Sequence, residues 1–257
     1  NWFWLNPQPQ GNNLIATYFV DNSTGFAVGE FGTVLKTTNE GQSWMQLTTG
    51  TTRTLRAVYF VDASTGFAVG DSGTILKTIT GGTTWIPQTS GTLNALRAVV
   101  FRDGNTGTVT GNTGTILKTI DGGATWTPQV SGTTRRLVGI SYPTADTGYI
   151  VGYAQGGPGG TAVMRTTNAG ANWMTVDSVS NNFYIGVSFI DASNGFVCAN
   201  GSRILQTTDA GATWLRDTVA GNWNGISYIS PGTVYAIGSN GVMTKSSDNG
   251  VSWGALT

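Results

Sequence analysis

The chain has 257 residues, with 13 basic and 13 acidic side chains and no histidine. That length buries a substantial core. Zero formal net charge and 10% charged residues exclude the basic surface that holds nucleic acid through its phosphates, and equally a cationic membrane-surface protein.

Without histidine the chain lacks the usual general base near neutral pH and the commonest metal ligand. Its single cysteine, Cys198, allows no internal disulfide and no thiolate metal site, and reads as a small buried hydrophobe. Neither a cofactor nor a bound metal is expected. Glycine is abundant, at 38 residues, but aromatics make up 11%, which indicates a packed chain rather than a disordered one. No apolar run approaches the ~20 residues of a membrane span, so no membrane insertion is expected. The start at Asn1, with neither an initiator Met nor a signal-type apolar segment, reads as a processed or excised product.

Taken in chain order, residues 11–47 set a pattern that then recurs. A strand ending in TYFV leads through DNSTG to FAVG, then through EFG to TVLKT, and through TNEGQSW to a short closing strand. The second copy shows it most clearly: LRAVYFVD (55–62), the turn ASTG, FAVG (67–70), the turn DSG, TILKT (74–78), then a glycine turn into the segment opening at Trp85. Six copies follow one another, marked by TTNEGQSW, TITGGTTW, TIDGGATW, TTNAGANW, TTDAGATW and SSDNGVSW. Their tryptophans are Trp44, Trp85, Trp126, Trp173, Trp214 and Trp253, and only the interval from Trp126 to Trp173 is lengthened, by YAQGGPGG (153–160). Four short strands in every unit of ~40 residues, with Gly/Asn/Asp punctuation and no helical period, predict an all-β propeller of four-stranded antiparallel blades. Six blades are expected, with seven as the alternative, in one domain spanning 1–257.

At the N-terminus, WLNPQPQ places Trp4 in the register of Trp44 and Trp85, so the segment around 2–8 reads as an outer strand that closes the ring with the last blade. The sixth unit, however, begins its own fourth strand at Trp253. Either the last blade is irregular or a seventh is incomplete.

The stretch GDSGTILKT superficially resembles a phosphate-binding loop. Such a loop needs four residues between its first glycine and the Gly-Lys pair, and a helix after it. Here Lys77 lies inside a strand and the stretch repeats as GEFGTVLKT and GNTGTILKT. The glycines are therefore read as hairpin residues needing positive φ.

The eight-residue pattern Ser/Thr-x-Asp-x-Gly-x-Thr-Trp resembles the Asp-box, or BNR repeat, of sialidases and other propellers. The longer unit VGxxGTILKTTxGGxTW is similar to the photosystem II stability/assembly factor family and its secreted bacterial relatives. That resemblance implies a hairpin between third and fourth strands, with the acidic side chain accepting backbone N–H groups and the tryptophan packed in the core. The box position is Asp in Asp121, Asp209 and Asp248, Asn in Asn39 and Asn168, and Thr in Thr80. A turn lock tolerates that drift and a metal or catalytic site does not. The sialidase comparison also supplies a test for catalysis: this chain has no Arg-Ile-Pro motif and only two glutamates, Glu30 and Glu40, both in turns. The chain is read as non-catalytic.

In a repeat protein, function is expected where the units differ. Arg53, Arg56, Arg97, Arg135 and Arg136 cluster at the start of the first strand in three consecutive units, and Phe183, Tyr184 and Trp223 occupy that level in the next two. With the first strand lining a central channel, these side chains are expected to rim one mouth of the propeller. Arginine suits bidentate carboxylate contact and aromatics anchor partners. The expected partner is a protein or peptide segment, with a glycan as the other option; the bland alternative is solvated arginines and a plugged channel. A periodic series at Lys36, Lys77, Lys118, Arg165, Gln206 and Lys245 is read as scaffold, with stems packed between blades and heads in water. A carbohydrate-acting propeller and a surface or filament subunit remain as alternatives. The Thr/Asn/Gly-rich, charge-poor composition suggests an extracellular, cell-surface or periplasmic bacterial protein.

Overall fold

The computed structural model describes residues 11–154, 160–179 and 183–256. The segment around 2–8, including Trp2 and Trp4, and most of the 153–160 insertion lie outside the described residues.

The chain forms six four-stranded antiparallel sheets, each built from strands in sequence order, the blades of an all-β propeller. They span 14–47, 55–88, 96–129, 136–179, 184–218 and 223–256. The sixth blade takes its outer strand, Gly254–Leu256, from the end of the chain.

Each blade begins with a strand whose burial alternates, such as Leu55–Phe60, where Leu55, Val58 and Phe60 are inside. In blades 1, 2, 3 and 5 the second strand, such as Gly66–Gly70, is buried at every residue, so it reads as an unbroken run of small and apolar residues. The outer strand is short and largely exposed, as in Ile86–Gln88. Pro87 and Pro128 sit on such edges, where a missing donor blocks further pairing.

The turn DSG shows why the glycine is there. Ser72 and Gly73 both have positive φ, 57° and 69°. A Cβ on Gly73 would also lie 1.9 Å from the Thr92 carbonyl oxygen, in the segment leading to the next blade. The glycine serves the chain's own path rather than a phosphate.

The chain divides into two compact units: residues 1–111 with 116–128, and residues 112–115 with 129–257. In the first unit the core lies between successive blades. Phe26 of blade 1 stacks on Phe60 of blade 2 at 3.8 Å, and Phe67 of blade 2 on Phe101 of blade 3 at 4.1 Å. Trp85 and Trp126 stand edge-on to Phe60 and Phe101. In the second unit Tyr149 stacks on Phe189 at 3.5 Å, with Trp214 edge-on, and Trp253 stands edge-on to Phe196. Aromatic pairs of this kind add ~0.5–1.5 kcal/mol each beyond their area.

The box tryptophans are not uniformly core. Trp85 and Trp126 are buried, whereas Trp44, Trp173, Trp214 and Trp253 are half-buried.

Candidate functional site

The hairpin between third and fourth strands is locked as its residues dictate. Asp121 Oδ1 accepts from Thr125 N at 2.9 Å and Thr119 Oγ1 at 2.8 Å, while Oδ2 accepts from Thr125 Oγ1 at 2.6 Å. Asp209 and Asp248 repeat the arrangement. Hydrogen bonds from side-chain hydroxyls, then from the backbone, hold all three carboxyls down at about 2. Asn39 and Asn168 accept the same backbone N–H, from Ser43 and Asn172. Thr80 does so with its hydroxyl, accepting from Thr84 N at 3.0 Å. These residues are turn locks in all six blades.

The repeat-breaking residues at the start of the first strands divide into three registers. One residue near the start of that strand is bulged in every blade, the second residue in five of them and the third in blade 4: Ile15, Arg56, Arg97, Val138, Ile185 and Asn224 fall between paired neighbours. A bulge frees its side chain from the ladder and re-aims it. Arg56 and Arg97 occupy this slot. Arg136 and Phe183 stand two residues earlier, and Arg53 and Arg135 three earlier, where each backbone N–H caps a threonine hydroxyl, Thr51 or Thr133.

In the first unit, Arg53 is exposed and Arg56 is half-buried. Arg56 is not a free cation: Nε and Nη2 meet Asp71 Oδ1 and Oδ2 at 2.5 and 2.7 Å. Asp71 follows the last glycine of the second strand. The same register carries Glu30, which accepts from Asn13 Nδ2, and Ser239, which accepts from Asn224 Nδ2.

In the second unit that register carries Tyr153. Arg136 Nη1 donates to Tyr153 Oη at 3.2 Å, and the guanidinium lies 5.5 Å from the Tyr153 ring centre. Phe183 meets the same ring edge-on at 5.0 Å and is 43% exposed. Arg136, Tyr153 and Phe183 thus form one cation–aromatic cluster across blades 4 and 5.

Tyr184 and Trp223 do not belong to any binding rim. Both are fully buried. Each stands five residues before the last aromatic of its strand, Phe189 or Tyr228, the spacing of Leu55 to Phe60 and Leu96 to Phe101. They are the large counterparts of those core leucines. Trp223 Nε1 donates to Val219 O at 3.0 Å. Tyr184 Oη donates to Asp177 Oδ2 at 2.6 Å, and Asp177 Oδ1 accepts from Arg216 at 2.5 Å. Burial, and then the Asp177 carboxylate, push the Tyr184 hydroxyl up to about 12. The spacing to the strand's last aromatic carried that signal in the sequence.

The lysine series also differs from expectation. Lys36 Nζ donates to Gly81 O at 2.8 Å and Lys77 Nζ to Gly122 O at 2.7 Å, each tying one blade to the next blade's box turn. The heads are structural donors, and the same ammonium groups lie over the Phe26 and Phe67 rings, at 5.4 and 5.7 Å from the ring centres.

Among the described residues no group of three or more His, Cys, Asp or Glu is placed to hold a metal ion, and no helix is long and apolar enough to cross a membrane. Of the thirteen acidic residues, all but Glu40, Asp146 and Asp217 accept side-chain hydrogen bonds in their own turns or from a named partner.

Residues 36–127 match the family described as photosynthesis system II assembly factor YCF48. The match covers less than half of the chain. A solved structure described as YCF48 bound to D1 peptide is similar over 96% of this chain and 81% of its own, at 19% identity and a TM-score of 0.77. YCF48 from Cyanidioschyzon merolae is similar over 93% of this chain and 97% of its own, at 18% identity and a TM-score of 0.54. The GH74 enzyme of Niastella koreensis shares the fold at 16% identity and a TM-score of 0.75, over 93% of this chain; the chain spans only 46% of that enzyme. At these identities the likeness establishes the fold, a β-propeller. No curated protein matches by sequence.

Proposed function

We propose that the chain is a non-catalytic scaffold that captures a protein or peptide segment bearing carboxylates, acting outside the cytoplasm. The observation that carries the reading is the Arg136–Tyr153–Phe183 cluster. A half-buried guanidinium, held against one aromatic ring beside another that is exposed, offers a carboxylate a fixed fork and a neighbouring apolar group a flat anchor. The YCF48 neighbour bound to a peptide supports a propeller in this role.

The GH74 neighbours favour a glycan-acting alternative. Glycoside hydrolysis uses two carboxyl groups flanking the scissile bond. Nearly all carboxylates here are committed to turns or ion pairs, which supports the binding reading.

The test is a titration with a short fluorescent peptide carrying aspartates and a free C-terminus, against its amidated, asparagine-substituted counterpart. Saturable binding of the first, weakened about tenfold by Arg136→Ala or Phe183→Ala, is expected. Equal binding of both peptides, binding indifferent to both substitutions, or cleavage of a xyloglucan oligosaccharide would overturn the proposal.

A further inference from the structure

The step from blade 5 to blade 6 departs from the repeat twice at one place. The first departure is at Gln206. In blades 1 and 2 its register holds Lys36 and Lys77, whose ammonium groups donate to the next blade's box turn. Gln206 is the one neutral residue in the series Lys36, Lys77, Lys118, Arg165, Gln206, Lys245. Its Oε1 reaches toward Gly250, 3.5 Å from where a Cβ would stand, so the box turn of blade 6 receives an amide in place of a cation.

The second departure is at Asp217, third after the box tryptophan. Leu47 and Val176 hold that register in blades 1 and 4, with their methyl groups near the box glycines Gly82 and Gly211 of the following blades, and Gln88 and Gln129 hold it in blades 2 and 3; of these five residues Asp217 alone is charged. Asp217 pairs in the sheet with Ile204, as Leu47 does with Val34. Gly250 itself is buried, with the Phe196 ring and Gln206 against it; a polar groove opens beside this turn, lined by Asp217, Thr218, Ser252 and Trp253 among others. Asp217 is half-buried and, among the described residues, no hydrogen bond or ion pair engages its carboxylate. Its neighbour Arg216 is committed to Asp177 on blade 4. Behind Ser252 stands Asp248, ionised because its turn holds the carboxyl down at about 2. Trp253 closes the groove with a half-buried indole whose Nε1 is taken by Gly250 O at 3.1 Å, leaving its ring as the remaining contact.

We propose that this groove binds a cationic side chain, the ammonium of a lysine in a partner polypeptide. Blade 5 alone carries a neutral residue in this series, and it adds a carboxylate beside an indole, the combination that attracts an external cation. The groove lies within one unit and is independent of the Arg136 cluster, so the two sites stand or fall separately.

The test follows the Trp253 indole N–H resonance, assigned with Trp253→Phe, during titration with Ac-Ala-Lys-Ala-NH2 and with its norleucine counterpart. A saturable shift with the lysine peptide only, at about millimolar affinity, is expected. Asp217→Asn is expected to weaken it about fivefold or more, and Gln206→Lys, which restores the internal ammonium, to abolish it while the melting temperature is maintained. Equal shifts with both peptides, no shift with either, or undiminished binding by the folded Gln206→Lys protein would overturn the proposal.

Discussion

Arg56 grips Asp71 with two parallel hydrogen bonds, Nε to Oδ1 at 2.5 Å and Nη2 to Oδ2 at 2.7 Å, across the hairpin that opens blade 2. Both side chains are only partly buried, 25% and 31% exposed, so solvent screens the pair. A double-mutant cycle with Arg56→Ala and Asp71→Ala is expected to give a coupling of about 0.5–1 kcal/mol by urea denaturation, falling as salt rises to about 1 M. A coupling above ~2 kcal/mol, or one indifferent to salt, would contradict this expectation.

The inter-blade aromatics set a larger effect. Trp126 stands edge-on to the stacked Phe67 and Phe101 and is 8% exposed. Trp126→Ala is expected to lower unfolding free energy by about 3–5 kcal/mol. Trp44→Ala, at a half-buried site, is expected to lower it by distinctly less. Chemical denaturation of the two variants under identical conditions measures the difference.

The box carboxylates make stability pH-dependent in a defined direction. Asp121, Asp209 and Asp248 sit at about 2 in the fold, below the ordinary value of 3.8. A depressed folded value means the unfolded chain takes up protons first as pH falls. Their contribution is therefore complete above the ordinary carboxyl value and disappears as pH drops through about 4 towards 2. Asp21, Asp62, Asp103 and Asp191, lowered by their own turns, act in the same direction. Melting temperature is expected to be flat around pH 5–7 and to fall below that window. In the triple variant Asp121→Asn, Asp209→Asn, Asp248→Asn the fall should be shallower.

Gly73 and Gly91 separate backbone strain from collision. Both have positive φ, 69° and 71°. A Cβ on Gly91 meets nothing within 4 Å, whereas one on Gly73 runs into the Thr92 carbonyl at 1.9 Å. Gly91→Ala is expected to lower stability by about 1 kcal/mol, from the left-handed conformation alone. Gly73→Ala should exceed that clearly, by about 2 kcal/mol or more. Equal losses in thermal denaturation would assign the whole effect to strain.

The blades were legible because each unit carries the same signals: a first strand with an aromatic at or near its end, a short second strand such as GFAVG, a hairpin with glycine and a tryptophan. The box side chains were legible too, since Asp, Asn and Thr each have one oxygen that reaches the same backbone N–H. Tyr184 and Trp223 misled because they were grouped by level in the chain rather than by distance to the strand's last aromatic; one residue of register separates an exposed Phe183 from a buried Tyr184. The pairing of Arg56 with Asp71 was hidden for another reason. Its partner is fifteen residues away, and only the hairpin brings the two together. Tyr153 was missed because the residue after the second strand's glycine looks like an ordinary turn residue until it is compared with Glu30 and Asp71. Asp217 was missed because a single carboxylate on an outer strand reads as solvated, and only its register against Leu47 shows what it displaced.

The one-residue slip at the start of every first strand has a consequence for how such a protein can change. Positions 15, 56, 97, 138, 185 and 224 already hold Ile, Arg, Arg, Val, Ile and Asn, and none of the six is buried. Because the ladder skips them, these six sites already carry charged, aliphatic and amide groups on one backbone pattern, with Val138 alone among them packed against a core cluster. Randomising all of them at once should yield libraries in which ligand preference varies from clone to clone while the scaffold beneath stays the same.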